Sequence, residues 1–196
     1  MYAKYIKRIV DIVVALTGLP FFAIIFVIIA PIIYLSDKEP VFYNAPRLGK
    51  KGKVFYMYKF RSMKVNAPDI RNADGSTYNA EDDPRVTSIG KLMRKTSLDE
   101  IPQLLNVLIG DMSIIGPRPF VPVEGKENTS KNFQDRLLVR PGITGYTQAY
   151  FRNSISQEEK IKMDAEYARN VTFLGDMKIL LKTIETVAQR KNIYNK

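Results

Sequence analysis

The chain contains no cysteine and no histidine. Without cysteine it can form no disulfide and offers neither a thiolate nucleophile nor a cysteine-ligated zinc site. Without histidine it has no Ser-His-Asp triad, no imidazole general base and no His-ligated metal. Chemistry falls to carboxylates, Lys, Arg, Tyr, Ser or a metal held by oxygen, and oxygen ligands favour Mg²⁺ or Mn²⁺ over zinc or copper. Acidic residues are also scarce, 20 against 30 basic ones, giving a formal net charge of +10. That surplus suits nucleic acid, an anionic membrane face or phosphorylated small molecules, and alone it does not choose among them. The length, 196 residues, accommodates one soluble core plus an N-terminal segment.

Charge is missing altogether from Ile12 to Leu35, 24 residues interrupted only by Thr17, Gly18, Pro20, Pro31 and Tyr34. As a straight helix this run measures roughly 36 Å, against a hydrocarbon core of about 30 Å. It is too long for a cleaved signal peptide, no small-x-small site follows it, and it shows no polar face. A membrane segment over residues 1–36 and a separate domain over 37–196 are therefore expected. Lys4, Lys7 and Arg8 flank one end; Lys38, Arg47, Lys50, Lys51 and Lys53 follow the other. The positive-inside rule wants both flanks cytoplasmic, which a single span cannot provide. Pro20 offers a way out, because it lacks an N–H and clashes with the carbonyl of residue 16, with Gly18 weakening the helix beside it. A helix broken at Pro20 would dip in and return to the same face. An ordinary kinked span is the alternative.

Beyond Pro40 the pattern predicts an α+β, mostly helical domain. Val41 to Tyr43 and Val54 to Phe60 flank a Gly/Lys turn and read as a β-hairpin. Asn66 to Pro84 and Pro122 to Lys131 read as loops. Thr87 to Lys95 reads as a short helix. A second runs from Asp99 to Leu108 and is capped at Gly110. Ser156-x-x-Glu159 is a capping box opening a helix towards Ala168. The last helix, Leu174 to Gln189, gathers Met177, Leu180, Leu181, Ile184 and Val187 on one apolar stripe. The expected whole is a re-entrant membrane helix, a small hairpin, and amphipathic helices around a catalytic helix at the membrane surface.

The densest chemistry lies between Arg94 and Pro119. Asp99 and Glu100 open the predicted helix, and two readings stand for them. Ser97-x-x-Glu100 fits a capping box with acids complementing the helix dipole. Alternatively, a carboxylate at a helix N-terminus attacks a phosphate held by the neighbouring N–H groups. Arg118 in Gly116-Pro117-Arg118-Pro119 is held extended by proline on both sides, so its planar fork can grip phosphate at reduced entropic cost; the alternative is a surface arginine in a rigid linker. Arg94, Lys59, Arg61 and Arg140 are further phosphate-binding candidates, each otherwise an ordinary solvent-facing cation. Strand alternation puts Lys59 and Arg61 on one face. Val139 to Gly145, V-R-P-G-I-T-G, marks a tight turn that lets backbone approach a ligand closely. Asp111 reads as a turn residue, and Asp164 and Asp176 as polar positions on helix faces.

Y-K-F-R-S-M (58–63), S-L-D-E-x-P-Q-L-x-N-V-L-x-G-D-M-S (97–113), G-P-R-P (116–119), V-R-P-G-I-T-G (139–145) and the D-x-x-Y…D-M-K-I-L-L-K-T tail (164–183) together resemble the bacterial sugar transferase family. The likeness is to its small monotopic polyprenyl-phosphate phosphoglycosyl transferases and runs nearly end to end. It implies transfer of a sugar 1-phosphate from a UDP-sugar to undecaprenyl phosphate, with Mg²⁺ required and UMP leaving. The setting it implies is the cytoplasmic face of a bacterial inner membrane, at the start of surface-polysaccharide or glycoprotein-glycan assembly. By matching positions, Asp99 is the nucleophile, Glu100 the metal ligand, and Arg94 and Arg118 contact phosphate. Two positions depart from the pattern. Leu19-Pro20 stands where many relatives have Ser-Pro, with Pro31 additional. Gly145-Tyr146-Thr147-Gln148 stands where many read G-W-A-Q. Expected partners are the UDP-sugar, undecaprenyl phosphate and membrane lipid, with no nucleic acid; self-association into a homo-oligomer and the identity of the sugar stay open. Two rivals are a membrane-tethered protein that binds nucleic acid or anionic lipid, and a one-step transferase in which Asp99 only ligates metal.

Overall fold

A computed structural model describes residues 1–70, 78, 80, 82–122 and 130–189. Much of the two loops read at 66–84 and 122–131 falls outside these residues. The elements are α1 (Lys7–Asp37), β1 (Phe42–Leu48), β2 (Val54–Phe60), α2 (Ser88–Thr96), α3 (Gln103–Ile109), β3 (Ser113–Ile115), α4 (Lys131–Arg136), β4 (Gly142–Thr144), α5 (Tyr146–Tyr150), α6 (Gln157–Arg169) and α7 (Phe173–Ala188). The mostly helical α+β class and the hairpin are as expected.

The helix α1 corrects one expectation: it stays helical through both Pro20 and Pro31, so Pro20 is not where the helix stops. Its 31 residues give a length of about 45 Å, and polar contacts tie both ends to the rest of the chain. Near its start, Arg8 donates to the carbonyls of Val107 and Leu108 at 2.6 and 3.0 Å. These carbonyls lie in the last turn of α3, where a cation is favoured, and that of Val107 also accepts from the Gly110 amide. The buried Asp11 carboxylate accepts from Ser113 Oγ and the Ile114 amide, both at 2.9 Å. At the far end Asp37 pairs with Arg61. Between these anchors Ala15 packs with Phe55, Met57, Val107 and Met112, while Ile29 and Ile33 pack with Phe60 and Met93. Phe26, Phe42 and Phe60 stack over the second cluster, with centroids 5.5–6.3 Å apart. Burying side chains of this size stabilises by about 2 kcal/mol apiece. Phe21, Ile24, Val27 and Ile28 of the same helix remain exposed.

The hairpin pairs Phe42 with Phe60 through Leu48 with Val54. Asn106 of α3, fully buried, fixes the helix beneath it: its side-chain oxygen accepts from the Tyr58 amide and its Nδ2 donates to the Tyr56 carbonyl, both at 2.8 Å. It thus completes the hydrogen bonding of β2 as a neighbouring strand would. The α3 helix ends at Gly110 with φ 98°, the left-handed cap read from the sequence.

Two short strands, β3 and β4, pair in parallel, Ser113 with Gly142 and Ile115 with Thr144. A Cβ at Gly142 would lie 2.1 Å from the Gly116 nitrogen, and one at Gly145 would lie 2.0 Å from the Gly116 oxygen. V-R-P-G-I-T-G thus makes a close backbone approach to the chain's own G-P-R-P turn. The Ser156–Glu159 capping box forms in full.

Asp164 and Asp176 are not helix-face polar residues: both are buried. Asp176 accepts from Tyr2 Oη, Lys7 Nζ and Tyr167 Oη at 2.6–2.7 Å, docking the start of α1 on α7. The apolar stripe predicted for α7 is divided. Leu180 packs with Ile179 and Ile115 in the core, beside the buried Asp176, while Leu181 and Ile184, and Leu174 before them, are each more than half exposed.

Candidate active site

Asp99 and Glu100 do not sit inside a helix. They form a 3₁₀ turn, Leu98–Glu100, one turn ahead of α3, with Pro102 at the N-cap of α3. Ser97 before them adopts a left-handed conformation, φ 58°, and its amide closes α2 against the Arg94 carbonyl. No side-chain cap from Ser97 forms, so the capping-box reading of Ser97 and Glu100 fails. The chain leaves α2 through a left-handed residue and re-enters helix only after the two acids. This geometry frees the Glu100 side chain.

Glu100 uses that freedom to collect cations. Its Oε1 accepts from Lys59 Nζ at 2.6 Å and from Arg118 at 3.1 Å. Burial works to raise the Glu100 carboxyl, but Lys59 and Arg118 together outweigh it and hold the group down at about 2. Asp99, only 8 % exposed, moves the opposite way. Burial pushes it up, Lys59 opposes this, the Glu100 charge adds to it, and Arg94 and Arg118 pull it down. The two adjacent carboxyls are thus driven apart, Glu100 held down and Asp99 raised, as in pairs that divide acid and base roles.

Of the cations named from the sequence, Lys59, Arg94 and Arg118 converge on the acid pair. Lys59 sits on β2 one residue beyond the Tyr58 amide that Asn106 holds, so the strand–helix bond sets its reach. Arg94 donates from Nε to Ser62 Oγ at 3.0 Å, and its charge reaches Asp99. Arg61 and Arg140 are committed elsewhere. Arg61, 6 % exposed, forms a two-pronged bond to Asp37 at 2.6 and 2.7 Å and donates to the Pro40 carbonyl. The strand ends at Phe60, so the alternation that put Arg61 on the face of Lys59 no longer applies. Arg140 donates to the Gly110 carbonyl at 2.7 Å, at the opposite end of α3 from Glu100. Asp111 lies at that same end and is a turn residue, as expected.

Sequence reasoning misses Arg152, half-buried just after α5 with φ 49°. Burial lowers its guanidinium and the Glu100 charge offsets part of that, so a fourth cation contributes to the charge around the acid pair. Nothing local distinguishes it from any lone arginine. Asn106 and Ser62 escape for the same reason: each acts through a contact more than 30 positions away.

Among the described residues no group of three or more metal-ligating side chains forms. A preformed protein cage is therefore not what the site offers a metal. Two neighbouring carboxylates offer hard oxygen donors of the kind that share Mg²⁺ with a substrate diphosphate and water. Glu100, ionised and partly accessible, is the donor that fits.

Comparison with known proteins decides the relationship. The sequence profile of the bacterial sugar transferases matches residues 2–190. The chain belongs to the bacterial sugar transferase family. It is 40 % identical to the galactosyl transferase CpsE of Streptococcus agalactiae over 92 % of its own length and 42 % of that protein's. With the undecaprenyl-phosphate galactose phosphotransferase of Salmonella typhimurium it shares 36 % identity, covering 98 % of the chain and 42 % of the relative. With the exopolysaccharide production protein ExoY of Sinorhizobium fredii it shares 36 %, covering 96 % and 88 %. The chain thus spans less than half of the first two proteins and most of the third.

Proposed function

We propose that the protein is a Mg²⁺-dependent phosphoglycosyl transferase. It moves a sugar 1-phosphate from a UDP-sugar to undecaprenyl phosphate, releases UMP, and so initiates a surface polysaccharide or glycoprotein glycan. The observation that carries this reading is the convergence of Lys59, Arg118, Arg94 and Arg152 on adjacent carboxyls with oppositely shifted acidities. Such an arrangement supplies a poised nucleophile and several charges for a diphosphate in one small volume.

In this scheme Asp99 attacks the sugar-bearing β-phosphorus. The bond from that phosphorus to the bridging oxygen breaks, UMP leaves with the bridging oxygen, and an aspartyl phosphosugar remains. An oxygen of undecaprenyl phosphate then attacks the same phosphorus, and the bond to Asp99 breaks to regenerate the carboxylate. Lys59, Arg94, Arg118 and Arg152 orient phosphate oxygens and stabilise charge on them. Glu100 would hold Mg²⁺, which when bound neutralises diphosphate charge. Two half-reactions let a water-soluble donor and a membrane-bound acceptor use one site in turn.

A monotopic attachment to the cytoplasmic face of a bacterial inner membrane goes with this chemistry. Among the described residues one helix is long and apolar enough to cross a bilayer, yet its two ends are bonded to the same body. A straight span would carry one end about 45 Å from the domain. The exposed middle of α1 and the outward part of the α7 stripe supply apolar surface for lipid, which holds the acids at the depth of the acceptor's phosphate. The test is UMP release in detergent with undecaprenyl phosphate across a panel of UDP-sugars. Release that needs both the lipid phosphate and one UDP-sugar supports the reading, and no release with any donor contradicts it.

A further inference from the structure

Arg118 reaches Glu100 from an exposed turn, with its own side chain more than half exposed. A long side chain in that setting would ordinarily sample many rotamers. The turn, however, is gripped along its backbone. The Pro117 carbonyl accepts from the Gly142 amide at 3.0 Å, the Arg118 carbonyl from Arg136 at 2.8 Å, and the Phe120 carbonyl from the Leu48 amide at 2.8 Å. Of these three donors only Arg136 is a side chain.

Arg136 is itself held in place. It is 3 % exposed and its guanidinium lies 4.1 Å from the Phe120 ring centroid. The nitrogen that holds the Arg118 carbonyl also donates to Asp164 at 2.8 Å. Asp164, 2 % exposed, accepts in addition from Thr147 Oγ1 at 3.0 Å. A hydrogen-bonded line thus runs from α5 and α6 through α4 to the backbone of Arg118. A buried ion pair contributes little net stability compared with apolar residues of the same volume. Its bond to this carbonyl is something an apolar pair could not supply.

We infer that Arg136 and Asp164 are positioning residues: the pair fixes the backbone of Arg118 so that its guanidinium meets the diphosphate at one geometry. The inference rests on the transferase reading above and goes further by assigning a role to two residues that touch no substrate. Misplacing a charged group by about 1 Å costs on the order of 100-fold in rate.

The test is a double-mutant cycle on the full chain in detergent, with kcat and KM for the UDP-sugar measured separately and thermal unfolding followed alongside. Replacing both partners, Arg136→Met with Asp164→Leu, removes the charges together and leaves neither buried alone. We expect an unfolding temperature within a few degrees of the parent, a KM raised about 10-fold and a kcat/KM lowered about 10- to 100-fold. In an Arg118→Ala background the same pair should cost less than about 2-fold, because its effect passes through Arg118. Equal losses in both backgrounds, or no loss in the parent, overturn the inference. Should the double replacement not fold, Asp164→Asn keeps the shape and an acceptor oxygen and goes through the same cycle, where a loss confined to the parent background supports the inference and equal losses overturn it. If Arg118→Ala alone leaves kcat/KM unchanged, Arg118 has no part in the reaction, and that failure is distinct from an additive cycle.

Discussion

Lys59 Nζ lies 2.6 Å from Glu100 Oε1, joining strand β2 to the turn that carries both acids. The contact does more than close a salt bridge. It holds the Glu100 carboxyl down, while the weaker pull of Lys59 on Asp99 leaves that group raised by burial.

Changing Lys59 should therefore move the pH profile. Asp99 attacks as a carboxylate, so activity is lost as pH falls through its folded pKa, which burial has raised. In Lys59→Met the strongest downward pull on Asp99 disappears, and the acid limb of kcat/KM should shift to higher pH. We expect an accompanying loss of about 100-fold near neutrality. A full pH profile checks this, and an acid limb at the parent's pH would mean that Lys59 does not govern Asp99.

The two carboxyls should have opposite effects on stability. Glu100, held at about 2 against an ordinary 4.5, contributes stability that is present above its unfolded pKa and lost as pH falls towards 2. Asp99, raised, does the reverse: its ionisation costs stability at neutral pH, and that cost vanishes in acid. Asp99→Asn should accordingly raise the unfolding temperature at pH 7 while abolishing turnover, and Glu100→Gln should lower it. The Asp99→Asn difference should shrink first, as pH falls through the raised Asp99 pKa towards the ordinary 3.8, and the Glu100→Gln difference only below that, as pH falls from 4.5 towards about 2. Thermal melts across that range decide the matter. A destabilised Asp99→Asn would contradict the assignment.

Asn106 offers a test of how the site is assembled. Asn106→Leu strands the Tyr58 amide and the Tyr56 carbonyl, both bonded to its side chain. Leaving such groups unpaired costs about 2–4 kcal/mol in all. Denaturant unfolding should show that loss, and residual activity measured on the folded fraction should also fall, because Lys59 follows Tyr58 on the strand.

Much of the architecture is legible in the amino-acid sequence. The hairpin, the cap at Gly110 and the Ser156–Glu159 box carry local signals of turn residues and periodicity, and Asp99, Glu100, Arg94 and Arg118 stand in one charge-dense stretch, whereas Lys59 reads locally as an ordinary solvent-facing cation. What escapes depends on partners far along the chain. By local pattern Arg61 resembles a second Lys59, but Asp37 claims it. Asp164 and Asp176 resemble surface acids, since nothing near them in sequence reveals that Arg136, Tyr2, Lys7 and Tyr167 surround them. Periodicity locates the stripe on α7 but gives no indication which of its residues face inward. Pro20 reads as a break on its own chemistry. In the fold, contacts such as Gly18 on Leu104 and Phe22 near Phe60 hold helix on either side of it.

The absence of cysteine makes the membrane arrangement directly measurable, since any introduced thiol is unique. A cysteine at position 2 should resist a membrane-impermeant reagent applied to intact cells and react after lysis. Fluorescent labels at Leu181→Cys and Ile184→Cys should be quenched by nitroxide lipids in vesicles and shielded from aqueous iodide. A label at exposed Glu158→Cys should behave the other way. Labelling of position 2 from outside would refute the monotopic arrangement.

If Asp99 is the nucleophile, the sugar donor alone must leave it covalently phosphorylated. The direct measurement is the intact mass of the protein, acid-quenched after incubation with Mg²⁺ and its UDP-sugar in the absence of undecaprenyl phosphate. The expected result is a gain equal to one phosphosugar, one equivalent of UMP, an adduct that maps to Asp99 and disappears in Asp99→Asn, and discharge on adding the lipid phosphate. Unchanged mass, with UMP appearing only once undecaprenyl phosphate is present, would contradict it and indicate direct transfer in one step.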